Sequence, residues 1–551
     1  MLKQKIAYFS MEIALSNDIH TYSGGLGVLA GDTIRSSADL NIPLVAVTLI
    51  SKKGYFRQEL THEGRQIDHP DPWNPSRFMQ SLPEEVTVQI QGRDIHVKAW
   101  LYTVKSTRGT EVPVYFLDTD VEGNSSEDRE ITSFLYGGDE RYRIKQEIVL
   151  GIGGVRMLEK LDIDVRKYHM NEGHSSFLAL ELLRKHDMDI NNVRNMCIFT
   201  THTPVEAGHD KFPYELVREY LGDFIPFNVL KSVGGQDRLN MTLLALNLSN
   251  YVNGVAKRHK MTSREMFPSY EIHAITNGVH SYTWVYESFK RLYDKYLPGW
   301  AHEPEMLLRA DIIPDNEIWQ AHMEAKKALI DHVNAVANIG MDYETLTIGF
   351  ARRATEYKRH TLIFSDLERL KKVNKKGRIQ LIFAGKAHPR DETGKKLIEQ
   401  IFSYKERLKG HIKIVYLENY DMNLAAKLVS GVDVWLNTPL PPMEASGTSG
   451  MKAAHNGVIN FSVLDGWWIE GWIEGVTGWA IGPTPEEHVS MDERKARELD
   501  DLYGKLQYAI IPLYYKRRDE WIQMMKNSIG KIASHFNSHR MMHRYVTEAY
   551  L

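Results

Sequence analysis

The stretch TIGFARRATEYKRHTLIFSDLERLKKVNKKGRIQLIFA, residues 347–384, shows the fold in miniature. It opens on a short apolar run, Thr347 to Ala351, passes through charged turn residues and a longer helical pattern, and closes on a second apolar run, Ile379 to Ala384. Apolar runs of this length bounded by turn residues read as buried strands, and helical crossovers between them make those strands parallel. The same alternation recurs at Leu44 to Ile50, Val112 to Leu117, Met196 to Thr200 and Ile412 to Leu417. A chain of 551 residues is too long for one hydrophobic core. The expected fold class is therefore α/β, with two Rossmann-like doubly wound domains and a ligand bound in the crevice at the strands' carboxyl ends, between the domains.

The domains are expected at 1–281 and 343–551, with a helical connection over 282–342 and the last helices free to cross back. Tyr282 to Asp342 carries a helical pattern interrupted by Pro298, Pro304 and Pro314 and holds no strand candidate. Glu85 to Lys105 alternates apolar and polar residues about Gly92-Arg93-Asp94, which reads as a β-hairpin inserted in the first half.

Composition narrows the partners. With 68 basic and 71 acidic side chains the net charge is -3, which gives no field suited to a nucleic acid; a neutral substrate fits better. The single cysteine, Cys197, excludes an intramolecular disulfide and a multi-cysteine zinc site, and its apolar setting implies a buried thiol in a reducing compartment. The amino-terminal MLKQKIAYFSMEIAL has an apolar stretch broken by Glu12 and no small-residue cleavage signal, and no run reaches the length of a membrane span. A cytoplasmic location, with no membrane partner, is expected. His169, His174, His202 and His209 lack helical i, i+4 spacing and a third ligand, so no metal is expected.

Chemistry concentrates in Glu444-Ala-Ser-Gly-Thr-Ser-Gly-Met-Lys452-Ala-Ala-His-Asn-Gly457, which follows the strand-like Asp433-Val-Trp-Leu and a proline-bearing loop. Small residues at a helix start let main-chain amides approach a phosphate. Lys452 stands one helical turn, about 5.4 Å, beyond Thr448, a separation suited to a cofactor with a phosphate at one end and an aldehyde at the other. A lysine so placed could form a Schiff base with pyridoxal phosphate, or act only as a point charge.

The segment is very similar to the cofactor-lysine motif of the glycogen and maltodextrin phosphorylases, in which the lysine holds pyridoxal phosphate. Arg352-Arg353-Ala-Thr-Glu-Tyr357-Lys358-Arg359, read as opening a helix, resembles that family's Arg-x-x-Glu-Tyr-Lys-Arg signature. Tyr22-Ser23-Gly24-Gly25-Leu26-Gly27 resembles its amide-presenting loop, except that Ser23 stands where the family has asparagine. Asn171-Glu-Gly-His174, Thr201-His202-Thr203, Val252-Asn-Gly-Val-Ala256, Thr276-Asn277-Gly278 and Leu417-Glu-Asn-Tyr420 follow in family order. The resemblance runs from about Ala7 to Gly482. The chain looks like a short form: nothing precedes the first strand where common members carry a regulatory extension, so control by nucleotide or phosphorylation is not expected.

The resemblance implies the GT-B architecture and an α-1,4-glucan phosphorylase with pyridoxal phosphate on Lys452 and Thr448, Ser449, Gly450 and Arg352 around its phosphate. It further implies Arg353, Lys358 and Gly25 on inorganic phosphate, and His202, Asn277, Glu444, Ser446, Gly447, Tyr357 and His174 on the glucan. A homodimer is also implied. Glu444 is read as sugar-binding rather than as an acid. Two other readings compete: a nucleotide-sugar glucan synthase-type glycosyltransferase, which would hold no pyridoxal phosphate, and a non-catalytic glucan binder. The tryptophans of Gly466-Trp-Trp to Trp479 are expected to pack in a core.

Overall fold

Two parallel sheets organise the computed structural model, which describes residues 4–551; Met1 to Lys3, the start of the stretch tested above as a leader, lie outside the described residues. The chain divides into two units. The first comprises the chain up to Phe56, Pro70–Thr276 and Met541–Leu551, and the second comprises Arg57–His69 and Asn277–Arg540.

In the first unit nine strands lie in the order His273–Ala274, Tyr251–Gly254, Cys197–Thr200, Val165–Asn171, Lys5–Ser10, Leu44–Leu49, Glu111–Asp118, Arg93–Lys105, Gln80–Ile90. The first seven are mutually parallel. The last two are antiparallel neighbours that extend the sheet edge, so the expected hairpin is part of the sheet. Its turn places Gln91 and Gly92 at φ 54° and 71°, the pair of positive angles that a two-residue hairpin turn demands.

The second unit's sheet runs Lys413–Leu417, Ile379–Ala384, Leu346–Ala351, Val434–Asn437, Ile459–Val463, Gly478–Ile481, all parallel. In order of synthesis this is third, second, first, fourth, fifth, sixth, the doubly wound order. Alternate residues enter separate cores: Ile379, Leu381 and Phe383 join one cluster, Ile382 and Ala384 another. Both faces are thus apolar, which is why these strands read as unbroken hydrophobic runs.

Residues 282–342, expected as a connection, belong to the second unit. Val285, Phe289, Tyr293 and Trp300 enter the same core as strand residues Ile348 and Phe350, because the helix Glu287–Tyr296 is amphipathic and must cover a sheet face. Residues 541–551 belong to the first unit: Met541, Met542, Tyr545 and Tyr550 pack with Ile6 and Ile198. A short hairpin, Arg57–Leu60 with Gln66–His69, belongs to the second unit although sequence neighbours on both sides belong to the first. Glutamine side chains hold it: Gln58 Nε2 donates to the Gly385 carbonyl at 3.1 Å and Gln66 Nε2 to that of Ala387 at 2.9 Å. Among the described residues no helix is long and apolar enough to cross a membrane.

At the amino-terminal end of the second sheet lies a fully buried ion cluster. Asp433 accepts from Lys326 Nζ at 2.5 Å, from His322 Nε2 at 2.7 Å and from the Thr347 N–H at 2.8 Å. Burial alone would raise the Asp433 carboxyl, but Lys326 and His322 outweigh it and hold it below the usual range. Its contribution to stability is therefore present above the ordinary carboxylate range and is lost as pH falls through the depressed value. Replacing Asp433 by Asn leaves Lys326 buried without its counter-charge and is expected to lower stability by about 3–5 kcal/mol in denaturant unfolding at pH 7; a loss below about 1 kcal/mol would show that Lys326 finds other solvation.

Candidate active site

Each doubly wound sheet has a point where the strand order reverses, and loops leaving the carboxyl ends there diverge and open a binding crevice. In the second unit this point lies between Leu346–Ala351 and Val434–Asn437. The chain leaves Ala351 into Arg352, Arg353 and Lys358, and leaves Asn437 into the loop that carries Glu444. The structure draws these loops together. Glu444 Oε2 accepts from Arg352 Nη2 and from Lys358 Nζ, each at 2.5 Å, and the three side chains are only 8–12% exposed. Burial pushes the Glu444 carboxyl up, but the two cations overcome it and bring it to about 2. Lys358 also lies 4.6 Å over the Tyr357 ring, while Arg353 is exposed.

No α-helix opens at Arg352, contrary to the sequence expectation. The segment makes one 3-10 turn, Glu356–Lys358, and α-helix resumes only at Leu367–Lys376. Arg359 explains the interruption: at φ 52° it donates to the carbonyls of Thr438 and Pro439 and pairs with buried Glu498 at 2.6 Å. These bonds tie the arginine loop to the Glu444 loop.

Beyond Gly447 and Thr448, the helix Ser449–His455 carries Lys452, whose N–H donates to the Thr448 carbonyl at 3.2 Å. Lys452 is 7% exposed, and its Nζ lies 3.9 Å from the centroid of the Trp284 ring. Gly450 leaves no room for a side chain: an added Cβ would lie 2.3 Å from Asn460 Oδ1. Ser449 Oγ receives the Trp435 indole N–H at 2.9 Å. Arg352 Nη1 is buried with no hydrogen-bond partner, as is Asn437 Oδ1. A buried amine, a turn of small residues and an unsatisfied guanidinium nitrogen form a donor set that fits a carbonyl cofactor carrying a phosphate. At the start of this unit Asn277 is buried; its carbonyl accepts from Arg540 at 3.2 Å and its Oδ1 has no partner.

The first unit repeats the scheme at its own reversal point, between Lys5–Ser10 and Val165–Asn171. Glu12, noted above only as an interruption, proves to be the anchor of the glycine loop. Its carboxylate accepts the Ser23 N–H at 2.6 Å, the Gly24 N–H at 3.2 Å and the Tyr136 hydroxyl at 3.0 Å. Burial raises its carboxyl, against the effect of those bonds. The loop's glycines divide by role. A Cβ on Gly27 would lie 2.7 Å from Glu12 Oε2 and one on Gly31 only 1.9 Å from the Ala14 carbonyl oxygen, whereas Gly24 and Gly25 have no atom within 4 Å of such a position. Those two are dispensable for packing and present main chain to open space.

After Asn171, Glu172 takes φ 74°, rare for a side-chain-bearing residue, and directs its carboxylate onto the N–H of His202 at 2.7 Å and the Thr203 hydroxyl at 2.9 Å. His202 Nε2 lies 2.7 Å from Asn171 Oδ1. Burial, helped by neighbouring histidines, lowers the His202 pKa to about 3, so the ring is neutral at physiological pH. His174 is likewise lowered, to about 4, by burial and by Arg143, whose guanidinium is 3.3 Å away. His169 bridges Tyr550 and Thr200, both at 2.8 Å. Three tryptophans of the run pack as expected, Trp467, Trp468 and Trp479 all being under 5% exposed, whereas Trp472 is only partly buried and its indole N–H donates to Glu474 at 2.7 Å.

Doubly wound parallel sheets with functional-looking loops at both reversal points define the class as an α/β protein built to bind a ligand at the strands' carboxyl ends. Comparison with known proteins narrows that class. A model of the carbohydrate phosphorylase family matches residues 210–478. The chain is 41% identical to the maltodextrin phosphorylase of Thermococcus litoralis over 100% of its own length and 70% of that protein. It is 39% identical to the glycogen phosphorylase of Aquifex aeolicus, covering 86% of it, and 36% identical to that of Mycobacterium tuberculosis, covering 70%. The chain belongs to the carbohydrate phosphorylase family.

The glycine loop can be tested without substrate. Gly31→Ala drives a Cβ into main chain and is expected to cost about 2 kcal/mol or more in unfolding experiments, whereas Gly25→Ala should stay within about 1 kcal/mol of wild type. Equal losses would mean that Gly25 too is a packing glycine.

Proposed function

We propose that this chain is an α-1,4-glucan phosphorylase that moves the non-reducing-end glucose of a glucan onto inorganic phosphate, releasing α-D-glucose 1-phosphate and a glucan one unit shorter. The observation that carries this reading is the meeting of Arg352, Lys358 and Glu444 beside the turn that buries Lys452. The names of relatives support it: those described above at 36–41% identity are maltodextrin and glycogen phosphorylases. Nothing in the site favours the nucleotide-sugar transferase alternative, which would leave the buried Lys452 without a use.

Lys452 would hold pyridoxal phosphate, with Thr448, Ser449, Gly450 and Arg352 about its phosphate end. When bound, that group supplies a phosphate able to exchange a proton with inorganic phosphate. The protein's own residues do the rest. Lys358 and Arg353 would fix inorganic phosphate, together with the amide of Gly25, beside which an added Cβ would meet no atom within 4 Å. Neutral His202 would accept or donate to a sugar hydroxyl without adding charge, held in place by Asn171. Glu444, Ser446, Gly447, Asn277, Tyr357 and His174 would recognise the terminal glucose, since neutral sugars are selected by dense hydrogen bonding. A homodimer and a cytoplasmic location belong to the same reading.

The deciding experiment is an absorbance spectrum of the purified protein followed by borohydride reduction and peptide mapping. The pyridoxal label is expected on Lys452, and Lys452→Ala should be colourless and at least about 1,000-fold less active with maltodextrin and phosphate. Lys358→Ala should raise the KM for phosphate about tenfold or more while keeping the chromophore. A colourless wild-type protein that cannot be reconstituted would overturn the reading.

A further inference from the structure

We infer that Asp465 is a positioning residue for the sugar-binding loop Glu444 to Gly447, holding its main chain as a carboxylate and loosening it on taking up a proton. Glu444 enters here in the sugar-binding role proposed above, on which this step rests.

Asp465 lies just past the strand Ile459–Val463 and is 3% exposed. Its two oxygens go to main chain: Oδ2 accepts the Glu444 N–H and Oδ1 the Gly466 N–H, both at 2.9 Å. Among the described residues no cation pairs with it. The next two residues complete a clamp. Gly466, at φ 57°, lies so close that an added Cβ would be 2.2 Å from the Ser446 carbonyl oxygen, and the Trp467 N–H donates to that same oxygen at 2.9 Å. The Trp467 ring also stands against Gly447 and Gly450, within 3.5 Å and 2.6 Å of where their Cβ atoms would be. Glu444 is therefore fixed at both ends, its carboxylate by Arg352 and Lys358 and its main chain by Asp465.

The charged groups that face Asp465 are the Glu444 carboxylate and the Lys358 ammonium. Burial chiefly lifts its carboxyl to about 7, with the Glu444 charge adding and the two N–H bonds and Lys358 opposing. As a carboxylate, above that pH, it can accept both N–H groups. As an acid it keeps one good acceptor, and its hydroxyl must turn its proton away from an N–H donor. The folding contribution runs in the opposite sense: a raised carboxyl favours the folded chain at low pH, and that benefit is lost as pH rises through about 7. Loop control and stability thus respond to the same proton with opposite signs.

The test is calorimetric titration of a short maltodextrin into the pyridoxal-loaded protein in phosphate-free buffer at pH 8 and pH 6, with cofactor content checked by absorbance. Wild type is expected to bind about tenfold more weakly at pH 6, the loss of one main-chain hydrogen bond. Asp465→Asn offers one carbonyl oxygen and an NH2, so it mimics the acid form. It should bind about tenfold more weakly than wild type at pH 8 and show no further loss at pH 6. Equal wild-type binding at the two pH values, or Asp465→Asn binding like wild type at pH 8, overturns the assignment. The wild-type comparison alone decides the matter should the variant not fold. A loaded wild type that binds no maltodextrin at either pH sinks the glucan reading itself and is recognisable as that separate failure.

Discussion

Two buried cations, Arg352 and Lys358, converge on a single carboxylate oxygen of Glu444. Neither guanidinium nor ammonium could be kept at so low an exposure without a counter-charge, and two of them side by side repel. Glu444 answers both needs, and its carboxyl is correspondingly far down the acid range. The arrangement resembles a loaded anion site in which the protein supplies a provisional anion. A phosphate dianion brings more charge and more oxygens than one carboxylate, so on the proposed reading it displaces Glu444 from the cations and frees it for sugar hydroxyls.

The sheets decide where such clusters can form. Because every strand of the second sheet runs the same way, all loops that follow strands emerge on one edge, and only at the reversal point do neighbouring loops part. Three buried glutamates follow strands beside such points: Glu12 and Glu172 in the first unit, Glu444 in the second. Glu12 bonds main-chain N–H groups at the far end of its own loop, Glu172 bonds a main-chain N–H of another loop, and Glu444 binds the cations of another loop. Both units thus use a carboxylate of low exposure to fasten loops at the reversal point, a job for which a neutral side chain has too few strong acceptors.

Strands buried on both faces were legible because apolar residues dominate them: Ile379 to Ala384, in which Gln380 is the one polar residue, begins and ends where its run does. Val165–Asn171 escaped notice because its first residues, Val-Arg-Lys, are half-exposed, and Tyr251–Gly254 because it is short and ends in Asn-Gly. The Arg57–His69 hairpin left no hydrophobic signal at all, since glutamine side chains dock it. In the site, residue types in family-like motifs located Lys452, Lys358 and Glu444. Glu12 and Asp465 stayed hidden because their work is to accept main-chain N–H bonds, and nothing in a linear sequence marks a carboxylate for that purpose.

The chain passes between units after Phe56, His69, Thr276 and Arg540, and this has a consequence for its synthesis. The hairpin leaves the ribosome long before the surface it docks on, since Gln58 and Gly385 are 327 residues apart. Nor can the first unit close early. His169 waits 381 residues for Tyr550. Neither unit can therefore reach its final form as an independent nascent domain, and without residues 541–551 the first unit would leave Ile6 and Ile198 uncovered.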